Sequence, residues 1–316
     1  MSRAAARAEL IEDLGEAAAS DHFFRSRPFL DAEGVTHTLR IETGDGELLA
    51  PLIVREIPGA PELDAISPYG YPGIAAAGST APVDPADVDF SATRLVSAFV
   101  RHTLEEPPPL AGAGERNVVQ IADPDLPQKQ RSSDRNQINK NRRKGYEARI
   151  VPGPETESAE RAGFLEAYEQ TMRRAGAGER YFFGASYFDR ILESPATWLA
   201  LARAADGTVA AASIAARSDG FLHYYLSGSV DSHLRDSPMK NVVAALVGHA
   251  ADLGLPLNLG GGLSRGDRLE EFKRGFANRE QPWRTSELVC DPAAYARLSA
   301  GHDAGGFFPA YRAPRG

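Results

Sequence analysis

The residues best suited to chemistry cluster in LNLGGGLSRGDRLEEFKRGF, positions 257–276. Gly260, Gly261 and Gly262 end a short apolar run, where glycine weakens a strand and offers nothing to pack. A glycine run at such a place implies close approach of the backbone to another group, or a bend with positive φ. Asp267 occupies the N-cap position of a helix over RLEEFKRGF, 268–276. In that helix Phe272 and Phe276 stand four apart and face the core, which turns Lys273 toward the side that the glycine loop approaches. Bare backbone with a cation alongside suits a bound ligand. A glycine-rich turn next to a solvated lysine is an equally open reading.

Two further segments could line a site. In FLHYYLSGSV, 221–230, alternation places Leu222, Tyr224 and Leu226 on one face and Phe221, His223 and Tyr225 on the other. Phenols on such a strand can bind in a cleft while their rings pack, or simply belong to a satisfied core. Tyr69 and Tyr71 in SPYGYPG, 67–73, sit in a proline-glycine frame that suits a substrate wall or a structural corner. Metal and covalent chemistry are not indicated. The histidines at 22, 37, 102, 223, 233, 249 and 302 show no ligand spacing, and Cys290 has no second cysteine beside it. Neither a G-x-S-x-G elbow nor a G-x-x-x-x-G-K-[ST] loop is present.

The elements that must position these residues fall into two halves. A length of 316 residues accommodates two α/β units of about 150 each. A hydrophobic fraction of 42% and a charged fraction of 25% place the chain among globular proteins rather than disordered ones. No apolar run approaches the roughly 18 residues of a membrane span. The first twenty residues read as a short amphipathic helix or a ragged end, not an export signal. With a single cysteine there is no intramolecular disulfide, which fits a cytoplasmic protein. A net charge of −8 argues against a generic nucleic-acid binder, though a local basic strip is compatible with it.

The first half reads as strands 36–43 and 47–56 joined by Gly44-Asp45-Gly46, an extended stretch 63–75, a helix over 87–104 and a strand 117–122. The second half has helices at 164–176 and 186–192, then strands 197–204, 208–217 and 221–229. A helix over 238–254, a short strand 255–261, the helix 268–276 and a last strand 284–290 complete it. Antiparallel strands followed by a helix and another strand predict a mixed sheet covered by helices, not a doubly wound fold. Domains are therefore expected at 1–125 and 156–316, joined by a connecting segment at 126–155. Between Pro127 and Pro152 that connector carries Lys129, Arg131, Arg135, Lys140, Arg142, Arg143, Lys144 and Arg149 against only Asp134 and Glu147.

LGGG with D-x-L-x-x-FK-x-x-F (259–276), HYYLSGS (223–229), NKNRRKGYE (139–147) and SPYGYPG together resemble the Fem-type aminoacyl transferases of the GCN5-related N-acyltransferase (GNAT) superfamily. The resemblance covers most of the chain and is weakest near the N-terminus. It implies an α/β (α+β) fold of two tandem GNAT-like domains, each a mixed, mainly antiparallel sheet flanked by helices, with the active site in the second. It also implies transfer of an aminoacyl group, usually from aminoacyl-tRNA, to a primary amine of a cell-wall precursor or small metabolite. No cofactor is required. In that family a phenylalanine–lysine pair lies at the acyl carbonyl, and the matching residues are Phe272 and Lys273. Attack of an amine on an ester charges the carbonyl oxygen, which a preplaced cation stabilises. Tyr69, Tyr71, Tyr224, Tyr225, Gly260, Gly261, Gly262 and Asp267 are the candidate substrate contacts, and Asp267 is also a candidate proton acceptor. Lys140, Arg142, Arg143 and Lys144 would meet tRNA phosphates, or else lie on a solvated helix face.

One departure bears on the donor. Acetyl-CoA enzymes of this superfamily carry a glycine-rich pyrophosphate loop before the helix that follows their central strands. Here that stretch is SVDSHLRDSPMKN, 229–241, without a glycine. The alternatives to aminoacyl transfer are an acyl-CoA-dependent N-acyltransferase and a non-catalytic binding module. No amphipathic surface-seeking stretch is apparent, which favours a soluble acceptor and no stable membrane insertion.

Overall fold

The computed structural model describes residues 6–13, 22–78, 81–104, 107–303 and 305–313. The chain forms two compact units, one of residues 1–116 with 283–316 and the other of residues 117–282. The first begins β1 (Ala6–Ile11), α1 (Arg27–Ala32), β2 (His37–Glu42), β3 (Gly46–Glu56) and β4 (Leu63–Ile66). It continues through β5 (Ala75–Gly78), β6 (Val88–Asp89) and β7 (Leu95–Arg101). Neighbours β1–β2, β2–β3, β3–β4 and β3–β5 pair antiparallel, while β1–β6 and β4–β7 are parallel.

Two local expectations fail in this unit. The segment read as a helix over 87–104 is instead β6, a 3₁₀ turn at Ser91–Thr93 and then β7. A spacing of four between Leu95 and Phe99 satisfies a period of two as well as one of 3.6, so it could not separate strand from helix. Burial decides it: Leu95 through Val100 are all buried, as in a strand covered on both faces. Ala6–Ile11 forms β1 rather than a helix or a ragged end; residues 1–5 and 14–20 of that stretch lie outside the described residues.

The second unit opens in β8 (Gly114–Ala122) and continues through α2 (Ser132–Arg143), β9 (Glu147–Pro152), α3 (Ser158–Arg174) and α4 (Ala185–Leu192). Then come β10 (Thr197–Arg203), β11 (Val209–Ser218), β12 (Phe221–Ser229), α5 (Met239–Asp252), β13 (Leu257–Gly260) and α6 (Arg268–Arg274). Its strands lie in the order β8-β13-β12-β11-β10-β9, antiparallel except for β12 beside β13. One face of this sheet is packed by Ile138 of α2, Val242, Val243, Leu246 and Ala250 of α5, and Phe276 beyond α6. The other is covered by α3 and α4, where Phe164, Tyr168 and Phe188 interlock. The chain returns to the first unit along β14 (Arg279–Val289), paired with β7, and α7 (Pro292–Ser299). The α/β class with mixed, mainly antiparallel sheets is thus the one observed. The division differs from the expected one: 126–155 is built into the second unit as α2 and β9, and 283–316 belongs to the first.

The central strand β12 carries a bulge. Ala215 pairs with Tyr224 but Ile214 pairs with Leu226, leaving Tyr225 as the extra residue. Beyond it the facing reverses. Gly228 abuts α3, where an added Cβ would fall 2.2 Å from the Ala167 carbonyl oxygen, and Leu226 shares its side. Alternation therefore holds for Leu222 and Tyr224 but not for Leu226. No helix among the described residues is long and apolar enough to cross a membrane.

These contacts predict opposite signs for two glycine substitutions. Gly228→Ala forces α3 off the sheet and should cost about 1–3 kcal/mol in urea unfolding. Gly248→Ala, on the exposed side of α5 with nothing near its added Cβ, should stabilise by about 0.5–1 kcal/mol. Equal effects of the two would contradict the packing described.

Candidate active site

The site is built at the end of β13. Parallel pairing of β12 with β13 is confined to Leu222–Leu257 and His223–Asn258. Past that point Tyr224 and Gly260 stand on strands that no longer bond to each other. Gly260 turns the chain with φ +74°, a conformation open to glycine at little cost. Gly261 and Gly262 are required by close approach: an added Cβ would lie 2.5 Å from the Asn117 amide nitrogen at one, and 2.3 Å from Asp267 Oδ1 at the other. The group the glycine run makes room for is therefore, at these two positions, the protein itself.

Asp267 organises the return. Its Oδ1 accepts from the Glu270 amide at 2.8 Å, capping α6, and its Oδ2 accepts from the Leu263 and Ser264 amides at 2.6 and 3.0 Å. The amide bond from Glu270, followed by those from Ser264 and Leu263, holds this carboxyl below its ordinary range against a smaller opposing effect of burial. A carboxylate so engaged is a poor proton acceptor and a good loop anchor. Phe272 and Phe276 pack edge to face at 5.7 Å, as their spacing predicted.

Lys273 is 8% exposed, not solvated. Its Nζ donates to the Gly261 carbonyl oxygen at 2.6 Å and stands 6.0 Å from the centre of the Tyr224 ring. An ammonium has three donors, and the other two have no protein acceptor among the described residues. Burial lowers its pKa from 10.5 to about 8, opposed by the charge of Asp267. Tyr224 donates to Ser227 Oγ at 2.6 Å, and its phenol is pushed up to about 12 by burial, with the Ser227 bond opposing. It is a neutral wall beside the lysine.

The structure thus gathers Lys273, Phe272, Tyr224, Gly260, Gly261, Gly262 and Asp267. Tyr225 is on the other face, its hydroxyl 2.8 Å from that of Tyr187 on α4. Tyr69 and Tyr71 belong to the first unit: the Tyr69 amide donates to Glu33 at 2.9 Å, and the Tyr71 ring packs on Phe24 and Trp283. Missed by the sequence reading are Asn258, His223 and Asp219, joined by hydrogen bonds to the glycine bend. A lone asparagine inside the apolar LPLNLGG was the available signal. Cys290 is held up to about 12 by burial and offers no thiolate. Among the described residues no His, Cys, Asp or Glu cluster is arranged to hold a metal.

The basic segment folds as a sided helix. Asp134, Ile138 and Asn141 of α2 are buried, with Asp134 ion-paired to Lys240 at 2.8 Å. Arg135, Lys140, Arg142 and Arg143 are exposed. Lys144 instead pairs with Asp236, whose carboxyl that contact holds below its usual range. The stretch 229–241 forms a 3₁₀ helix at Asp231–Asp236. The amides of His233, Ser237, Lys240 and Asn241 all bond to nearby carbonyls of the same segment. They form no outward-facing cradle of the kind that holds a pyrophosphate.

Residues 128–274, nearly all of the second unit, match the family model described as an acetyltransferase (GNAT) domain. This stretch is a GNAT domain. No curated protein matches the chain significantly. Among solved structures, FemX shares the fold with a TM-score of 0.60 at 11% identity, over 86% of this chain and 93% of its own. L-PGS from Bacillus licheniformis does so with a TM-score of 0.54 at 13% identity, over 78% of this chain and 82% of its own. The mixed α/β fold expected from the resemblance is the fold of this protein, with the GNAT domain in its second unit.

A desolvated ammonium leaves a stability signature. The folded pKa of Lys273 lies below the unfolded one, so between about 8 and 10.5 the unfolded chain binds more protons and stability rises with pH. Below that window the full penalty applies, at most about 3 kcal/mol. Lys273→Met, which removes the penalty but also the bond to Gly261, should stabilise the domain by about 2 kcal/mol at pH 7. The gain should shrink by pH 10. Urea unfolding at both pH values checks this; a less stable methionine variant at pH 7 would refute the buried charge.

Proposed function

We propose that this GNAT protein is an aminoacyl transferase that forms an amide between an activated aminoacyl group, carried by tRNA, and a primary amine. The observation that carries this reading is the buried Lys273 ammonium at the glycine bend, with two N–H groups that meet no protein acceptor among the described residues. The acceptor nitrogen adds to the ester carbonyl carbon, and the oxygen gains a negative charge that Lys273 meets. The C–O bond to the tRNA ribose then breaks, the ribose oxygen takes a proton and the amine nitrogen loses one. An aminoacyl ester is already activated, so no covalent enzyme intermediate is needed. Phe272 holds the lysine's helix on the core, and Tyr224 excludes water beside the cation.

Three features support tRNA as donor. The segment 229–241 has no glycine, and its amides at His233, Ser237, Lys240 and Asn241 bond within the segment while those of Ser229 and Asp231 bond to Thr171 and Gln170 of α3. The exposed face of α2 presents Arg135, Lys140, Arg142 and Arg143, suited to phosphates, on a protein of net charge −8. FemX and L-PGS share the fold, and the resemblance of this sequence to the Fem-type aminoacyl transferases implies the same class of donor. The acceptor is an amine of a cell-wall precursor or a small metabolite. A second reading, an acyl-CoA-dependent N-acyltransferase, is favoured by the acetyltransferase description of the matching family model.

Purified protein supplied with charged tRNA or with acyl-CoA separates the two. Loss of the labelled aminoacyl group in an RNase-sensitive reaction is expected, and turnover with acyl-CoA alone would overturn the proposal. Lys273→Met should lower kcat/KM by about 100- to 1000-fold; unchanged activity would indicate that the lysine takes no part. Because the cationic lysine is the active form, the rate should fall as pH rises through about 8, and Lys273→Arg should remove that limb. Arg142→Glu with Arg143→Glu should raise KM for charged tRNA about tenfold at low salt and flatten its salt dependence, leaving kcat within twofold.

A further inference from the structure

We propose that Asp219, His223 and Asn258 form a buried, one-directional relay whose task is to hold the Gly260–Gly261 bend against Lys273, making them positioning residues for amide formation. The inference rests on the aminoacyl-transfer reading above.

The direction follows from one fixed donor. The Gly260 backbone N–H can only donate, and it bonds to Asn258 Oδ1 at 2.8 Å. That settles the orientation of the Asn258 side chain, whose Nδ2 then faces His223 Nδ1 at 3.0 Å as a donor. The imidazole must accept at Nδ1, so its proton is on Nε2. Nε2 lies 2.9 Å from Asp219 Oδ1 and 3.3 Å from the Ser218 carbonyl oxygen. Every member is buried: His223 and Asn258 are each 1% exposed, and the Asp219 side chain 3%.

Location gives the relay its purpose. His223 and Asn258 are the last paired residues of β12 and β13, so the relay stands where the strands part. It ends on Gly260, the residue with positive φ, and the carbonyl of the next residue, Gly261, accepts the hydrogen bond that Lys273 donates. Stability alone does not call for such an arrangement. Well-packed apolar residues in place of a buried polar set are often as stable or more so. What the relay supplies is a bend whose angle is set by a hydrogen bond instead of by loose packing.

The chain has five lysines, so a lysine side-chain 13C NMR titration resolves Lys273, assigned by its loss in Lys273→Arg. In the wild type its midpoint should be near 8. In Asn258→Leu and His223→Leu the midpoint should rise by more than one pH unit, and kcat should fall 10- to 100-fold with donor KM within about twofold. His223→Gln, which keeps an acceptor toward Asn258 and a donor toward Asp219, should stay close to wild type in both. A folded leucine variant with Lys273 and kcat unmoved overturns the proposal. So do imidazole 15N shifts in the wild type that place the proton on Nδ1, a test needing no variant. If no aminoacyl transfer is found at all, the functional reading fails, while the lysine titration still decides whether the relay positions the bend.

Discussion

A lysine ammonium withdrawn from water organises the second unit. Moving a cation into a nearly closed environment is costly unless something repays it, and the bond to the Gly261 carbonyl is a partial repayment. The lowered pKa of Lys273 measures what is left over. Proteins retain such imbalance mainly where a ligand completes the electrostatics, so stability and chemistry compete at this one side chain. Around it each element has a definite task. α6 carries the lysine, Asp267 ties the loop to the helix, and the glycines let the loop come close enough to accept from the ammonium.

The sheet supplies the opening. β12 and β13 are parallel neighbours that bond over only two residue pairs, and alternation along β12 sends the adjacent tyrosines to opposite faces, with the bulge at Tyr225 reversing the facing only beyond them. Tyr224 thereby reaches the lysine, while Tyr225 bonds to Tyr187 of α4. Polar groups are sorted in the same way on α2. Its buried side is fixed by Asp134, Ile138 and Asn141, so most of its cations are left on the outside without being needed for folding. Lys144 is the exception, because the Asp236 carboxylate reaches it.

Much of this was legible in the chain. The strands and helices that follow residue 156 in the second unit, the N-cap at Asp267, the Phe272–Phe276 contact and the turn of Lys273 toward the side of the glycine loop all follow from short-range spacing. Such features depend on residues within one or two turns of each other, where helix and strand periodicity is a direct geometric constraint. The first half was less legible because spacings of four fit both periodicities, and only the burial of Leu95 through Val100 in succession marks β7 as a strand.

What the sequence by itself determined is therefore the local frame: a cation, a cap and a bare-backbone bend within twenty residues of one another. Only the tertiary structure decided that Lys273 is desolvated, since burial depends on what the rest of the fold places over it. The partners of Gly261 and Gly262 include Asn117, more than a hundred residues away in sequence, and the support of Gly260 runs back through His223 to Asp219. Periodicity carries no record of such pairings. The fate of 283–316 has the same cause, because strand pairing with β7 is a long-range choice that no local pattern encodes.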